Sequence, residues 1–349
     1  MTLKLIYLLL GFIPVGLASR YLGGPPLLTF GAAALGVVPL ASLIGDATEN
    51  LATRTGPRLG GFLNATLGNA AELIITIFAI RAGLLGLVKA SITGSIIGNL
   101  LLVMGLSILA GGIKNGQQRF DRSTAGLGST MLILAIIALA VPSLFGHAIE
   151  LVNHDAVEYL SLGVATAMLI VYGLQLFYSF TSTTPLRHSP AHTDAECWPM
   201  NKALIVLAVA TIFIAWLSEV LVGAVEHVVA DLGWTEFFLG IVIVPLVGNV
   251  AEHLVAVQVA IKNQMNLSLE IAIGSSLQIA LFVAPLLVFI SLLMGNPLTL
   301  VFDQFELIAL TAAALITALV ALDGESNWME GAQLLVVYII LAMAFFFLP

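Results

Sequence analysis

The sequence predicts an all-α polytopic membrane protein of eleven transmembrane helices, one N-terminal helix followed by two inverted five-helix repeats. Three observations carry that prediction. Of the 349 residues, 60% are hydrophobic and only 9% charged, with a mean hydropathy of +1.08, where a soluble chain carries roughly 25% charged residues. The apolar residues gather into eleven runs, each near the roughly 20 residues that span a hydrocarbon core about 30 Å thick. Finally, one hexapeptide occurs almost unchanged in two of those runs, as "GNAAEL" at 68–73 and "GNVAEH" at 248–253.

Proline, glycine and charge punctuate the runs. The first, 3–19, follows Lys4 with an apolar core and small residues, a pattern that a signal peptide shares; a cleaved start would leave the next segment on the same side. The second, 26–50, opens at Pro26 and ends in "GDATEN", and the third, 60–85, lies between Arg58 and "RAG". Lys89 and Lys114 bracket 90–112, Arg122 precedes 123–145, and Asp155 opens 155–182. A polar stretch separates these from 201–230, which ends near Asp231; 235–262 then ends at Lys262 and 267–294 at "GNP". Asp303 opens 304–322, and 329–348 closes the chain. The organisation read from this is an N-terminal extra helix over 1–22, a first repeat over 23–183, a cytoplasmic linker over 184–200 and a second repeat over 201–349.

Charge placement orients the spans. Lys4, Arg54, Arg58, Lys114, Arg119, Arg122, Arg187, Lys202 and Lys262 fall on the N-terminal side, against Arg20, Arg81 and Lys89 on the other. The N-terminus is therefore expected in the cytoplasm and the C-terminus outside. A net charge of −8 offers no basic patch for nucleic acid, and the single Cys197 excludes a disulfide framework. Short loops point to a microbial plasma (inner) membrane, with an organelle membrane as the alternative and a homo-oligomer left open.

Laying residue 68 on residue 248 sets an offset of 180 that runs on without a gap. Gly68, Asn69, Ala71 and Glu72 fall on Gly248, Asn249, Ala251 and Glu252; Gly94-Ser95 falls on Gly274-Ser275, and Gly60 on Gly240. Five helices per repeat is an odd number, so the halves must lie in opposite orientations, the plan of many secondary transporters with midplane ion sites.

A carboxylate at the centre of a spanning helix costs about 2.5–3.5 kcal/mol on insertion scales. Glu72 and Glu252 are read as lying well inside their spans, with Asn69 and Asn249 three residues earlier on the same helix face. The glycines before them let the backbone bend and turn carbonyls toward a ligand. Ser95 and Asn99 on one neighbouring helix, with Ser275 and Gln278 on the other, add hydroxyl and amide oxygens. Such an oxygen-only set suits a hard cation such as Ca2+, and no Cys or paired His offers a zinc or copper site. When the ion leaves, two close, poorly hydrated anions favour protonation. The same carboxylates then carry either Ca2+ or protons, which is the physical core of an exchanger. Calcium is cargo here, and no cofactor is expected.

These residues give a resemblance to the calcium/proton exchangers (the CAX family) of the calcium:cation antiporter superfamily. The stretches "ATENLATRTGPRLGGFLNATLGNAAELI" (47–74), "GSIIGNLLLVMG" (94–105), "SEVLVGAVE" (218–226), "GNVAEHLVAV" (248–257) and "GSSLQIALFVAPLLV" (274–288) all read like that family. The resemblance implies an eleven-helix alternating-access antiporter in which Glu72 and Glu252 bind Ca2+ and exchange it for protons. The family often carries an acidic segment between the repeats; "HSPAHTDAECWP" (188–199) has only Asp194 and Glu196. Sodium-coupled relatives surround the glutamates with hydroxyl residues, whereas Ala70-Ala71 and Val250-Ala251 stand here.

Alternatives remain at several residues. Asn69, Asn249, Ser95, Asn99, Ser275 and Gln278 are ligands or interhelical hydrogen-bonding groups. His253, about 100° around the helix from Glu252, is a proton relay or a packing residue. Glu219 is a proton-path or a structural glutamate, and Asp46, Glu49 and Glu226 read as helix-end rim charges. The competing functions are a sodium-coupled calcium exchanger and a cation channel. An intramembrane enzyme lacks support, because no H-e-x-x-H and no paired catalytic aspartates occur.

Overall fold

The computed structural model describes residues 6–150, 154–181 and 198–348. The linker expected over 184–200, with Asp194, Glu196 and Cys197, lies outside the described residues as far as residue 197. The described chain is almost wholly helical, in this order: α1 Tyr7–Tyr21, α2 Pro26–Leu67, α3 Ala70–Arg81, α4 Leu85–Asn115, α5 Arg122–Glu150, α6 His154–Thr181, α7 Met200–Leu232, α8 Glu236–Ile261, α9 Met265–Leu293, α10 Gln304–Val320 and α11 Trp328–Phe347. Eight of these are long and apolar enough to cross a membrane, and α1 and α10 are shorter apolar helices. Large apolar side chains such as Leu134, Ile137, Ile170, Leu174, Ile212, Leu319 and Ile339 are exposed, while Asn69, Glu72, Asn99 and Asn249 are buried. That inversion of the soluble pattern suits a lipid surround.

The second and third spans needed correction. Instead of ending near residue 50, α2 continues for 42 residues, about 63 Å at 1.5 Å per residue. The break falls instead at Gly68 and Asn69, after which α3 begins. Glycine and asparagine are both poor helix formers, and together they end the run that the charges around Arg54 and Arg58 do not.

Three helices contain a π-helical turn, at Gly98–Val103 in α4, Leu239–Ile243 in α8 and Ile279–Val283 in α9. In α8 and α9 a proline stands two residues past the end of the turn, Pro245 and Pro285. Proline lacks the N–H that the carbonyl four residues back would accept from, and its ring crowds that carbonyl; a wider turn just before it relieves the mismatch. No proline follows the turn in α4.

The chain forms two compact units, each gathering sequence from before and after the linker. In the first (Met1–Ser91, His192–Glu252, Phe346–Pro349), α2 packs along α7, with α1 and α3 against both. The packing is close: a Cβ on Gly36 would stand 2.9 Å from Leu217 Cδ1, and one on Gly16 3.1 Å from the Ala33 nitrogen. The Tyr7 hydroxyl donates to Asp46 at 2.7 Å, tying α1 to α2.

In the second unit (Ile92–Ala191, His253–Phe345), α5 packs against α6 and α10, and α9 against α4, α5 and α6. The one strand pairing among the described residues is a two-residue antiparallel ladder, Gln118 opposite Ser326 and Arg119 opposite Glu325. An Arg119–Glu325 ion pair at 3.0 Å accompanies it. Buried Gln118 also donates to the Ala260 carbonyl and to Asn263 Oδ1, each at 3.0 Å, so three interhelical loops are clasped together.

Candidate functional site

Both repeated hexapeptides lie in the first unit as far as Glu252. The break before α3 places Asn69 at its N-cap, with φ −96° and ψ 24°, and Glu72 in its first turn. Glu72 therefore stands at a helix start instead of inside one unbroken helix, and Asn69, the N-cap three positions before it, stays its near neighbour in the first turn. The physical consequence is favourable. The first turn of a helix presents unbonded N–H groups and the positive end of the helix dipole, which lowers the cost of a buried carboxylate there. In α8, by contrast, the backbone is helical throughout Val244–Ile261, so Asn249 and Glu252 do share a face, as expected from their spacing.

Glu72 is 3% exposed, and Asn69 and Asn249 2% each; Glu252 is half-buried. The two motifs meet through Glu72 and the Gly248-Asn249 pair. The Asn249 side-chain amide donates to Glu72 Oε1, across 177 residues of sequence. Gly248 makes room for the approach, since a Cβ there would stand only 2.8 Å from Glu72 Cγ. Thr76, one turn on, donates to the Glu72 carbonyl at 2.7 Å.

The second unit has its own polar cluster. Ser95, Asn99 and Ser275 are buried and Gln278 is half-buried. Asn99, in the π turn of α4, donates to Ser275 Oγ on α9 at 3.0 Å. His253 is 8% exposed, and its Nε2 has no hydrogen-bond partner among the described residues. Glu219 is exposed on α7, beside buried Ser218. One buried carboxylate went unremarked in the sequence: Glu306, 2% exposed, accepts from the Thr93 hydroxyl at 2.8 Å. The D-x-x-E pattern from Asp303 to Glu306, a helix-start signature, was the signal available for it.

Chemically, the first unit's cluster offers carboxylate and carboxamide groups, the donors of a hard-cation site. Carboxylates can also take up protons.

Comparison with known proteins follows the same line. The family model for sodium/calcium exchanger proteins matches residues 25–181 and 202–347. The chain is 43% identical to a Ca2+/H+ antiporter of Aphanothece halophytica, over 98% of this chain and 96% of that one. It is 42% identical to the Ca2+/H+ antiporter ChaA of Bacillus subtilis (strain 168), over 96% and 97%. Among solved structures it resembles native YfkE, with a TM-score of 0.87 at 40% identity, covering 98% of this chain and all of that one. A structure of the H+/Ca2+ exchanger CAX, 18% identical with a TM-score of 0.74, shares the fold over 99% of this chain and 92% of that one.

Proposed function

The chain belongs to the sodium/calcium exchanger protein family, and from that premise we propose that it exchanges Ca2+ for H+ across a membrane by alternating access. The observation that carries the ion pair is identity above 40% to two Ca2+/H+ antiporters over nearly the whole chain. Ala70-Ala71 and Val250-Ala251 fit it, since protons need no extra hydroxyl ligands.

In this reading Glu72 and Glu252 are the exchanging carboxylates. Two carboxylates balance one divalent cation, and two protons balance the same pair when the cation leaves, so at least two protons move per Ca2+. Asn249 orients Glu72 and, with Asn69, adds amide oxygens. Ser95, Asn99, Ser275 and Gln278 are proposed as further oxygen donors on the ion's route. His253 and Glu219 are proposed proton-path groups, His253 on the grounds of its buried imidazole. No resident cofactor enters the scheme.

We further propose eleven crossings in the layout of one helix (1–22), a first repeat (23–183), the linker (184–200) and an inverted second repeat (201–349). Local geometry supports the repeat. The helix hairpins after the two motifs turn through left-handed residues at matching positions, Gly83 and Asn263. Leu84 donates to Ala79 and Gly83 to Ile80 in one, and Gln264 to Val259 and Asn263 to Ala260 in the other, the same helix-ending pattern. The π turns of α4 and α9 likewise end at Val103 and Val283, at the offset of the sequence repeat. The N-terminus is proposed on the cytoplasmic side of a plasma membrane; a reporter fused after Pro349 that proved cytoplasmic would reverse this.

Sealed proteoliposomes under an imposed pH gradient test the ion pair. Calcium uptake without sodium is expected. A strict sodium requirement would move the protein to sodium coupling, and free flow down a calcium gradient at channel rates would make it a channel.

A further inference from the structure

The second unit contains a buried carboxylate for which the exchange scheme above has no use. Glu306 is the third residue of α10 and belongs to a capping box: its Oε2 accepts from the Asp303 backbone N–H at 2.8 Å, and Asp303 in turn accepts from the Phe305 N–H at 2.8 Å. A capping-box glutamate ordinarily sits at a wet helix end, because its only task is to pair with the N-cap N–H. Here it is 2% exposed. Its other oxygen, Oε1, reaches a different helix and accepts from the Thr93 hydroxyl at 2.8 Å, across 213 residues of sequence. Thr93 is itself fully buried.

Thr93 precedes Ser95 by two residues and Asn99 by six on α4. Within the second unit this stretch is therefore held by side-chain hydrogen bonds near both ends, from Thr93 to α10 and from Asn99 to Ser275 on α9. Between them begins the π turn at Gly98, a place where helical register is readily altered. A hydrogen bond to a carboxylate is stronger than one between neutral groups, and the carboxylate is itself fixed by the cap of α10 and favoured by that helix's N-terminal dipole.

We propose that Glu306 is a positioning residue, which holds the Ser95–Asn99 stretch of α4 in register through Thr93. This rests on the reading of Ser95 and Asn99 as ion-route donors. Glu306 acts as a fixed acceptor and does not carry transported protons. An amide in its place can make both contacts, since its oxygen accepts from the Asp303 N–H and its NH2 donates to the Thr93 hydroxyl.

The test is a graded series at Thr93, as Ser, Cys and Val, with Glu306→Gln, in the full-length protein. Two quantities are read: calcium KM and maximal rate in proteoliposomes, and amide hydrogen exchange of residues 93–99 in detergent without calcium. The expected result is wild-type KM in Thr93→Ser and a KM within about threefold of wild type in Glu306→Gln, with KM rising through Cys to Val by about tenfold to a hundredfold, the scale of one hydrogen bond to a charged group. Amide exchange over 93–99 should quicken in the same order, with maximal rate changing less. Should the Val variant not fold, the step from Ser to Cys decides. Unchanged KM and amide exchange along the series would overturn the proposal, as would a folded Glu306→Gln protein without transport, because that would make the charge itself functional. A wild-type protein without calcium/proton exchange would overturn the exchange reading alone, since the amide-exchange series does not depend on it.

Discussion

The side chain of Asn249 donates to the carboxylate of Glu72, so the asparagine of the second hexapeptide serves the glutamate of the first. At Glu72 the two residue types of the motif thus work together: the carboxylate supplies charge, and an amide from the other copy holds its orientation. Asn249→Ala should raise calcium KM by about tenfold, the scale of one lost hydrogen bond to a charged group. Asn249→Asp should be far worse, because it puts a second negative charge against Glu72. Calcium titrations of transport rate check both, and wild-type kinetics in Asn249→Asp would remove the contact from the mechanism.

Gly248 separates stability from function. Alanine is better than glycine inside a helix by about 0.8–1 kcal/mol, yet its Cβ would stand 2.8 Å from Glu72 Cγ. Gly248→Ala is therefore expected to unfold no earlier than wild type by more than a degree or two, while transport falls at least about tenfold as Glu72 is displaced. Thermal unfolding and flux on the same preparation check the split.

Gly240 makes the opposite prediction. A Cβ there would lie 2.7 Å from Ala90 Cβ and 2.9 Å from the Leu87 carbonyl oxygen, both on the start of α4, with backbone as part of the obstacle. Gly240→Ala should cost about 1–3 kcal/mol as overpacking. A lowered unfolding midpoint in detergent is the readout.

The two hairpin turns should respond in parallel. Gly83 has φ 80° and Asn263 φ 62°, a region that costs an ordinary L residue about 1–2 kcal/mol. Gly83→Ala should cost about that much. Asn263→Ala should cost somewhat more, because Asn263 Oδ1 also accepts from Gln118. Denaturation of the two variants side by side measures the difference.

Much of this was legible in the sequence for physical reasons. Helix-length apolar runs and charge-poor composition have no other economical fold, and the costly glutamate at 72 and 252 pointed to itself by being costly. The spacing of Asn249 and Glu252 on one face was readable because the helix there is continuous. What the spacing did not reveal is that Gly68 and Asn69 end one helix and begin another. The π turns were hidden, except that Pro245 and Pro285 mark two of them in retrospect. Glu306 was readable as a helix start from Asp303 onward. Its partner Thr93 was not, since no local pattern joins residues 213 apart.

The most direct measurement is calcium flux in sealed, sodium-free proteoliposomes under an imposed pH gradient, comparing wild type with Glu72→Gln and Glu252→Gln. The account predicts proton-driven uptake in the wild type and none in either folded variant. Uptake surviving both substitutions would contradict it, because the carboxylates would then carry neither the cation nor the protons.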